Sequence, residues 1–89
     1  MATVRLDGML KEFGAGPRFD SAATNVAGLL DELEAAYPRL RAKIRDETGQ
    51  VRRFVRIFVN GEDVRNGEGV ATPLAATDTI DILHSIQGG

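Results

Sequence analysis

Apolar and polar residues alternate near both ends of the chain and take a three-to-four spacing in its first half. Ala2, Val4 and Leu6 fall on one side of an extended segment, with Thr3, Arg5 and Asp7 on the other. This predicts a half-buried strand. Gly8 interrupts it, and Met9 to Phe13 reads as a turn of helix that Gly14, Gly16 and Pro17 stop. Arg18 to Ala22 reads as a second strand, forming a hairpin with the first. Thr24 and Asn25 offer side-chain oxygens to the free amides of a first helical turn. Val26, Leu29, Leu30, Leu33 and Tyr37 then follow at i, i+3, i+4, i+7 and i+11, which is one helix face. Asp31, Glu32 and Glu34 lie off that face, and Gly28 weakens the helix by about 1 kcal/mol relative to alanine. Pro38 ends this helix and starts a short second one carrying Leu40 and Ile44.

Asp46 to Gln50 reads as a turn. Val51 to Asn60 is the longest strand pattern, with Val55, Ile57 and Val59 on one face and Phe54, Arg56 and Phe58 on the other. Asn60-Gly61 predicts a tight turn, and Glu62 to Val64 a short return strand. Asn66 to Asp78 is a loop with Gly67, Gly69 and Pro73, anchored by Leu74. Thr79 to Leu83 is the last strand, with Ile80 and Ile82 inward and Asp81 and Leu83 outward. One amphipathic helix must bury its face against one side of a mixed sheet. The first and last strands then lie parallel at the centre, joined through the helix by a right-handed crossover. The expected class is α+β, a β-grasp of residues 1–83, with residues 84–89 as a flexible arm.

Composition narrows the function. Eighty-nine residues make one domain with one modest core. Hydrophobic residues are 43% and charged residues 27%, an ordinary globular balance. No apolar run approaches the ~18 residues of a membrane span, and no basic-then-apolar leader precedes the first strand. There is no cysteine, so disulfides, thiol nucleophiles and thiolate metal sites are excluded. The net charge of −2 argues against a dedicated nucleic-acid binder. The expectation is a cytoplasmic protein that touches neither membrane nor nucleic acid.

The candidate chemistry sits after the last strand, in His84, Ser85, Ile86, Gln87, Gly88 and Gly89. Two residues without side chains let the backbone approach another surface closely. A carboxylate on such an arm fits a narrow partner site, which makes the α-carboxylate of Gly89 the candidate reactive group. Four other features read differently. Seven of the eleven basic residues lie between Arg39 and Arg56, which reads first as a solvated surface and second as a patch for an acidic partner or nucleic acid. His84, the single histidine, has no cysteine to activate and no second ligand, so it reads as a hinge or partner contact. Glu62, Asp63 and Glu68 read as turn residues and not as a metal site. Gly67 and Gly69 are no phosphate loop, because no lysine follows. Phe58 and Leu83, both facing away from the helix, form a small docking patch if they sit together.

The chain resembles the ubiquitin-like MoaD/ThiS family of sulfur carriers over nearly its whole length. The matching residues are Leu33-Glu34-Ala35-Ala36-Tyr37-Pro38, the stretch Phe54 to Arg65 with its Val59-Asn60-Gly61 turn, Thr72-Pro73-Leu74, Asp78 and Gly88-Gly89. The stretch from Phe54 to Arg65 looks most like the carrier of an actinobacterial cysteine synthesis route. Thr77 stands before Asp78 where the family usually has glycine. The resemblance implies that the protein is a cosubstrate and not an enzyme, with no bound cofactor and no metal, monomeric when free. An E1-like adenylyltransferase and sulfurtransferase, using ATP and Mg, would adenylate Gly89 and convert it to a thiocarboxylate. That group would pass sulfur to an acceptor enzyme, such as a PLP-dependent cysteine synthase, a thiosugar or thiazole synthase, or molybdopterin synthase. Phe58, Leu83, His84, Ser85, Ile86 and Gln87 would contact these partners. The same activation would also serve a protein modifier joined through Gly89 to lysines of its targets.

Overall fold

The computed structural model describes residues 1–7, 10 and 18–84. Strand β1 (Ala2–Leu6) pairs antiparallel with β2 (Arg18–Ser21), and helix α1 (Val26–Ala36) crosses over to the far side of β1. A 3-10 turn (Pro38–Leu40) leads into α2 (Arg41–Ile44). Strand β3 (Val55–Val59) turns into β4 (Glu62–Asp63), two further 3-10 turns follow, and β5 (Thr79–His84) closes the fold. The sheet order is β2-β1-β5-β3-β4, with β1 and β5 parallel at the centre. This is the β-grasp arrangement that the residue pattern predicts. The expected helical turn at Met9 to Phe13 falls outside the described residues, apart from Leu10, which is fully buried.

The helix begins where its chemistry allows. Asn25 is extended, and its Oδ1 accepts from the Gly28 amide at 2.7 Å. A Cβ on Gly28 would come within 3.1 Å of that same oxygen. Glycine at this position therefore leaves room for the cap, which offsets its intrinsic cost to the helix. The helix ends at Tyr37, whose amide still donates to Leu33 O, because the residue before a proline is pushed out of helical geometry.

One face of α1 (Val26, Leu29, Leu30 and Leu33) packs on Val4, Leu6, Val55, Ile57, Ile80 and Ile82 of the sheet. Leu40, Ile44 and Leu74 are buried in the same core. Each large apolar side chain fully buried contributes about 1.5–3 kcal/mol. Tyr37 reaches the core only partly, with its ring edge-on to Phe19 at 6.0 Å.

Several predicted boundaries differ, β2 ending at Ser21 and β3 at Val59, and three of the differences have a visible cause or consequence. The long strand does not start at Val51. Arg52 is held to the preceding helix by its amide, which donates to Ile44 O at 2.8 Å, and by its Nε, which donates to Ala42 O at 2.8 Å. The chain then turns, with the Val55 amide donating to Arg52 O. Arg65 Nη2 donates to the carbonyls of Arg53 and Val55 at 2.7 Å each, which fixes the turn from the other side. Phe54 consequently lies outside the strand and packs against the core and against His84 instead of sharing the outer face with Phe58. β4 stops at Asp63 because the Asp63 carboxylate accepts from the Arg65 amide and caps the next 3-10 turn. β5 runs one residue further than alternation predicts, through His84, which pairs with Val55.

Asn60 and Gly61 both have positive φ, 51° and 87°, as the tight turn between β3 and β4 requires. Asn60 also reaches sideways. Its Nδ2 donates to Asp78 and its Oδ1 accepts from the Thr79 amide. Asp78 further accepts from the Ala75 amide at 2.7 Å, and these bonds hold its carboxyl below the ordinary range. The clasp fixes the start of β5.

Candidate functional site

Residues 85–89, with Ser85, Ile86, Gln87, Gly88 and Gly89, lie outside the described residues. What the structure fixes is the platform they leave from. β5 is a central strand, hydrogen-bonded on both sides, to β1 and to β3. Its alternation sends Ile80 and Ile82 into the core, each fully buried, and leaves Asp81 and Leu83 half-exposed on the outer face.

The outer face has a definite register. Asp81 stands between Arg5 on β1 and Phe58 on β3, and Phe58 stands opposite Asp63 on β4. Leu83 stands opposite Arg56. Phe58 and Leu83 are therefore diagonal neighbours on adjacent strands, within reach of one another. The structure brings together the two residues that the pattern singles out. It frames them with ion pairs that the sequence did not reveal. Arg5 grips Asp81 with two bonds, at 2.6 and 3.0 Å, and Arg56 lies 3.5 Å from Asp63. Only the strand register puts residues 76 positions apart side by side, so composition and spacing carried no sign of the first pair.

His84 has the other parity. Its ring meets that of Phe54 edge-on at 4.8 Å, and its Nδ1 is buried without a hydrogen-bond partner. The two rings, with Ala42, Lys43 and Arg52, line a groove of about 270 Å³ at the end of β5. A larger groove of about 430 Å³ lies at the opposite end of the β3–β5 pair, where Glu62, Asp63, Glu68 and Asp78 line it.

The basic cluster between Arg39 and Arg56 divides by role. Arg45 is a brace across α1. Its Nη2 donates to Ala27 O, its Nη1 meets Asp31 at 3.1 Å, and its Nε lies 3.3 Å from Glu34. Glu34 is buried, and burial pushes its carboxyl above the ordinary range against the pull of Arg45 and Arg41. Arg52 clamps α2 through its Nε, as described above. Arg53 and Arg56 are exposed near the end of β5, while Lys43 lines the groove there.

Among the described residues no three His, Asp or Glu side chains gather as a metal site would require, and no helix is long and apolar enough to cross a membrane.

Comparison with known proteins gives a consistent result. The ThiS family profile matches residues 10–89. A protein named sulfur carrier protein CysO, from Mycobacterium tuberculosis, is 36% identical over 90 residues, covering 98% of this chain and 97% of its own length. A small archaeal modifier protein 3 from Haloferax volcanii is 33% identical over 72 residues, covering 81% of this chain and 76% of its own. Among solved structures, a chain of the Amycolatopsis orientalis BexX/CysO complex superposes with a TM-score of 0.87 at 27% identity, with both chains fully covered.

Proposed function

Because the chain belongs to the ThiS family, we propose that it is a sulfur carrier whose working group is the C-terminal carboxylate of Gly89. The observation that supports this reading is that the last described strand, which ends five residues before Gly89, is a central strand of the sheet whose outer face carries Leu83 diagonal to Phe58. A central strand cannot fray without breaking the core, so the arm has a rigid root. An extended chain advances ~3.3 Å per residue, so five residues drawn out fully inside a partner would bridge roughly 16 Å.

The chemistry follows from the group. A carboxylate is a poor acyl donor. An oxygen of the Gly89 carboxylate attacks the α-phosphorus of ATP in an E1-like partner, and pyrophosphate leaves. Sulfide or a persulfide sulfur then attacks the acyl carbon, and AMP leaves with the C–O electron pair. For sulfide, the product is a thiocarboxylate directly. For a persulfide, reduction of the resulting acyl disulfide by a thiol releases it. The thiocarboxylate sulfur is the nucleophile offered to an acceptor enzyme. ATP, Mg and the catalytic groups belong to the partners, and this chain is their protein cosubstrate. Cysteine synthesis is the acceptor route that the CysO relatives suggest.

ATP–pyrophosphate exchange with an E1-like enzyme tests the first step. Full-length protein should support exchange, and protein lacking Gly88 and Gly89 should not. The modifier relatives prompt a second reading, in which Gly89 is joined to lysines of target proteins. It requires the same adenylation and differs in its product. Isopeptide-linked conjugates in cell extracts would favour it, and a free thiocarboxylate would favour the carrier.

A further inference from the structure

The grooves at the two ends of the β3–β5 pair are lined by side chains of opposite charge. At the start of β5, four carboxylates (Glu62, Asp63, Glu68 and Asp78) line one groove, with no lysine or arginine among the described lining residues. At the end of β5, Lys43, Arg52 and His84 line the other, with no aspartate or glutamate among them. Arg53 is exposed in the turn that supplies Phe54 to this groove, while Arg56, opposite Leu83 on the outer face, is already ion-paired with Asp63 and is not counted with it. The overall charge is −2, so this basic end is a local feature set against a net-negative molecule.

His84 joins the groove to the arm, since it is at once a lining residue and the last residue of β5. A channel that takes in the residues after it must bring its mouth down onto the groove. We propose that the basic end is an electrostatic collar, and that the activating enzyme which receives the arm carries a ring of carboxylates around its channel mouth. This rests on the reading of Gly89 as the reactive group. Charge complementarity selects the occupant. Opposite charges at the mouth speed encounter and orient the carrier arm-first, while the acidic end of the same molecule is repelled by the same ring. A protein rim fits better than nucleic acid. The patch is one groove long, its two rings meet edge-on and do not form a row of parallel platforms for successive bases, and carboxylates populate the far end.

Initial adenylation rates with the E1-like enzyme of the source organism test the collar. For unaltered carrier, kcat/KM should fall about ten-fold or more between about 0.01 and 0.15 M salt, as the screening length drops from about 30 to about 8 Å. Arg53→Glu and Lys43→Gln should lower kcat/KM at low salt, together about ten-fold, leave kcat unchanged and flatten the salt dependence. Glu68→Lys at the opposite end should not lower it. Circular dichroism confirms that each variant folds, and the salt response of the unaltered protein stands even if one does not. Normal adenylation with a salt-independent kcat/KM would overturn the collar and leave the function standing. Absence of any adenylation would overturn both. Binding of a single-stranded oligonucleotide that Arg53→Glu abolishes would reassign the patch to nucleic acid and overturn the proposal.

Discussion

The two faces of β5 differ by one residue in sequence and by most of the molecule in consequence. Ile80 and Ile82 look inward and are fully buried beneath α1, where they touch the residues that close the core. Asp81 and Leu83 look outward, half-exposed, among ion pairs and a half-buried phenylalanine. The inner face decides whether the chain folds. The outer face is free to vary within that fold, so the surface that meets a partner can sit directly on the strand that carries the core. The lesson is economy of position: a central strand is the most rigid part of the sheet, and the arm that follows it inherits a fixed origin.

Substitutions can break this contrast. Ile82→Asp is expected to have the largest effect, because it buries an unpaired charge and removes a core side chain at once. A loss of about 4 kcal/mol or more is enough to unfold a domain of this size. A cooperative thermal melt at ordinary temperatures for this variant would contradict the assignment. Asn25→Ala removes the cap of α1, the helix that covers the inner face. It should cost about 1 kcal/mol, read as a shift in the denaturant midpoint with the slope unchanged. Leu83→Asp should change stability by less than about 1 kcal/mol, since it places a carboxylate at a half-exposed site opposite Arg56. It should still lower adenylation kcat/KM by about ten-fold or more if Leu83 anchors a small transient interface. Unfolding by Leu83→Asp alongside survival of Ile82→Asp would mean that the register is shifted by one.

The smallest effect concerns Glu34, the one buried carboxyl among the described residues. Burial raises the Glu34 carboxyl above its unfolded value, so the native state holds this proton more tightly than the unfolded state does. The stability tied to it is fully present below the unfolded value and is lost as pH rises through the raised one. Asp78, lowered by its hydrogen bonds, acts in the opposite sense, and its contribution fades as pH falls. Comparison with Glu34→Gln cancels that background. The stability of the unaltered protein relative to this variant should be greater near pH 4 than near pH 7. A flat difference would show that Arg45 and Arg41 offset burial, and a reversed one that they outweigh it.

The central architecture was legible because it is written in local periodicity. The face of Val26, Leu29, Leu30 and Leu33 and the alternation of Thr79 to Leu83 each identify an element and the side it buries. The Asn60-Gly61 turn was legible because few other pairs tolerate positive φ at both positions. What periodicity could not show is long-range bonding by polar side chains. Arg52 and Arg65 shorten β3 by donating to backbone carbonyls, and nothing in the local pattern marks an arginine as a clamp. The candidate site divides in the same way. The facing of Phe58 and Leu83 was readable, but the Arg5–Asp81 pair and the basic groove around His84 depend on which strands lie side by side.

The account stands most directly on the chemistry of Gly89. The decisive measurement is intact-mass spectrometry of the protein after incubation with an E1-like enzyme, ATP, Mg and a sulfide source, alongside protein lacking Gly88 and Gly89. The account predicts that the full-length chain gains the mass of one sulfur-for-oxygen exchange, located to the C-terminal residue by fragmentation, and that the shortened chain gains nothing. A shortened chain that still acquires sulfur, or a full-length chain that acquires it anywhere but Gly89, would contradict it.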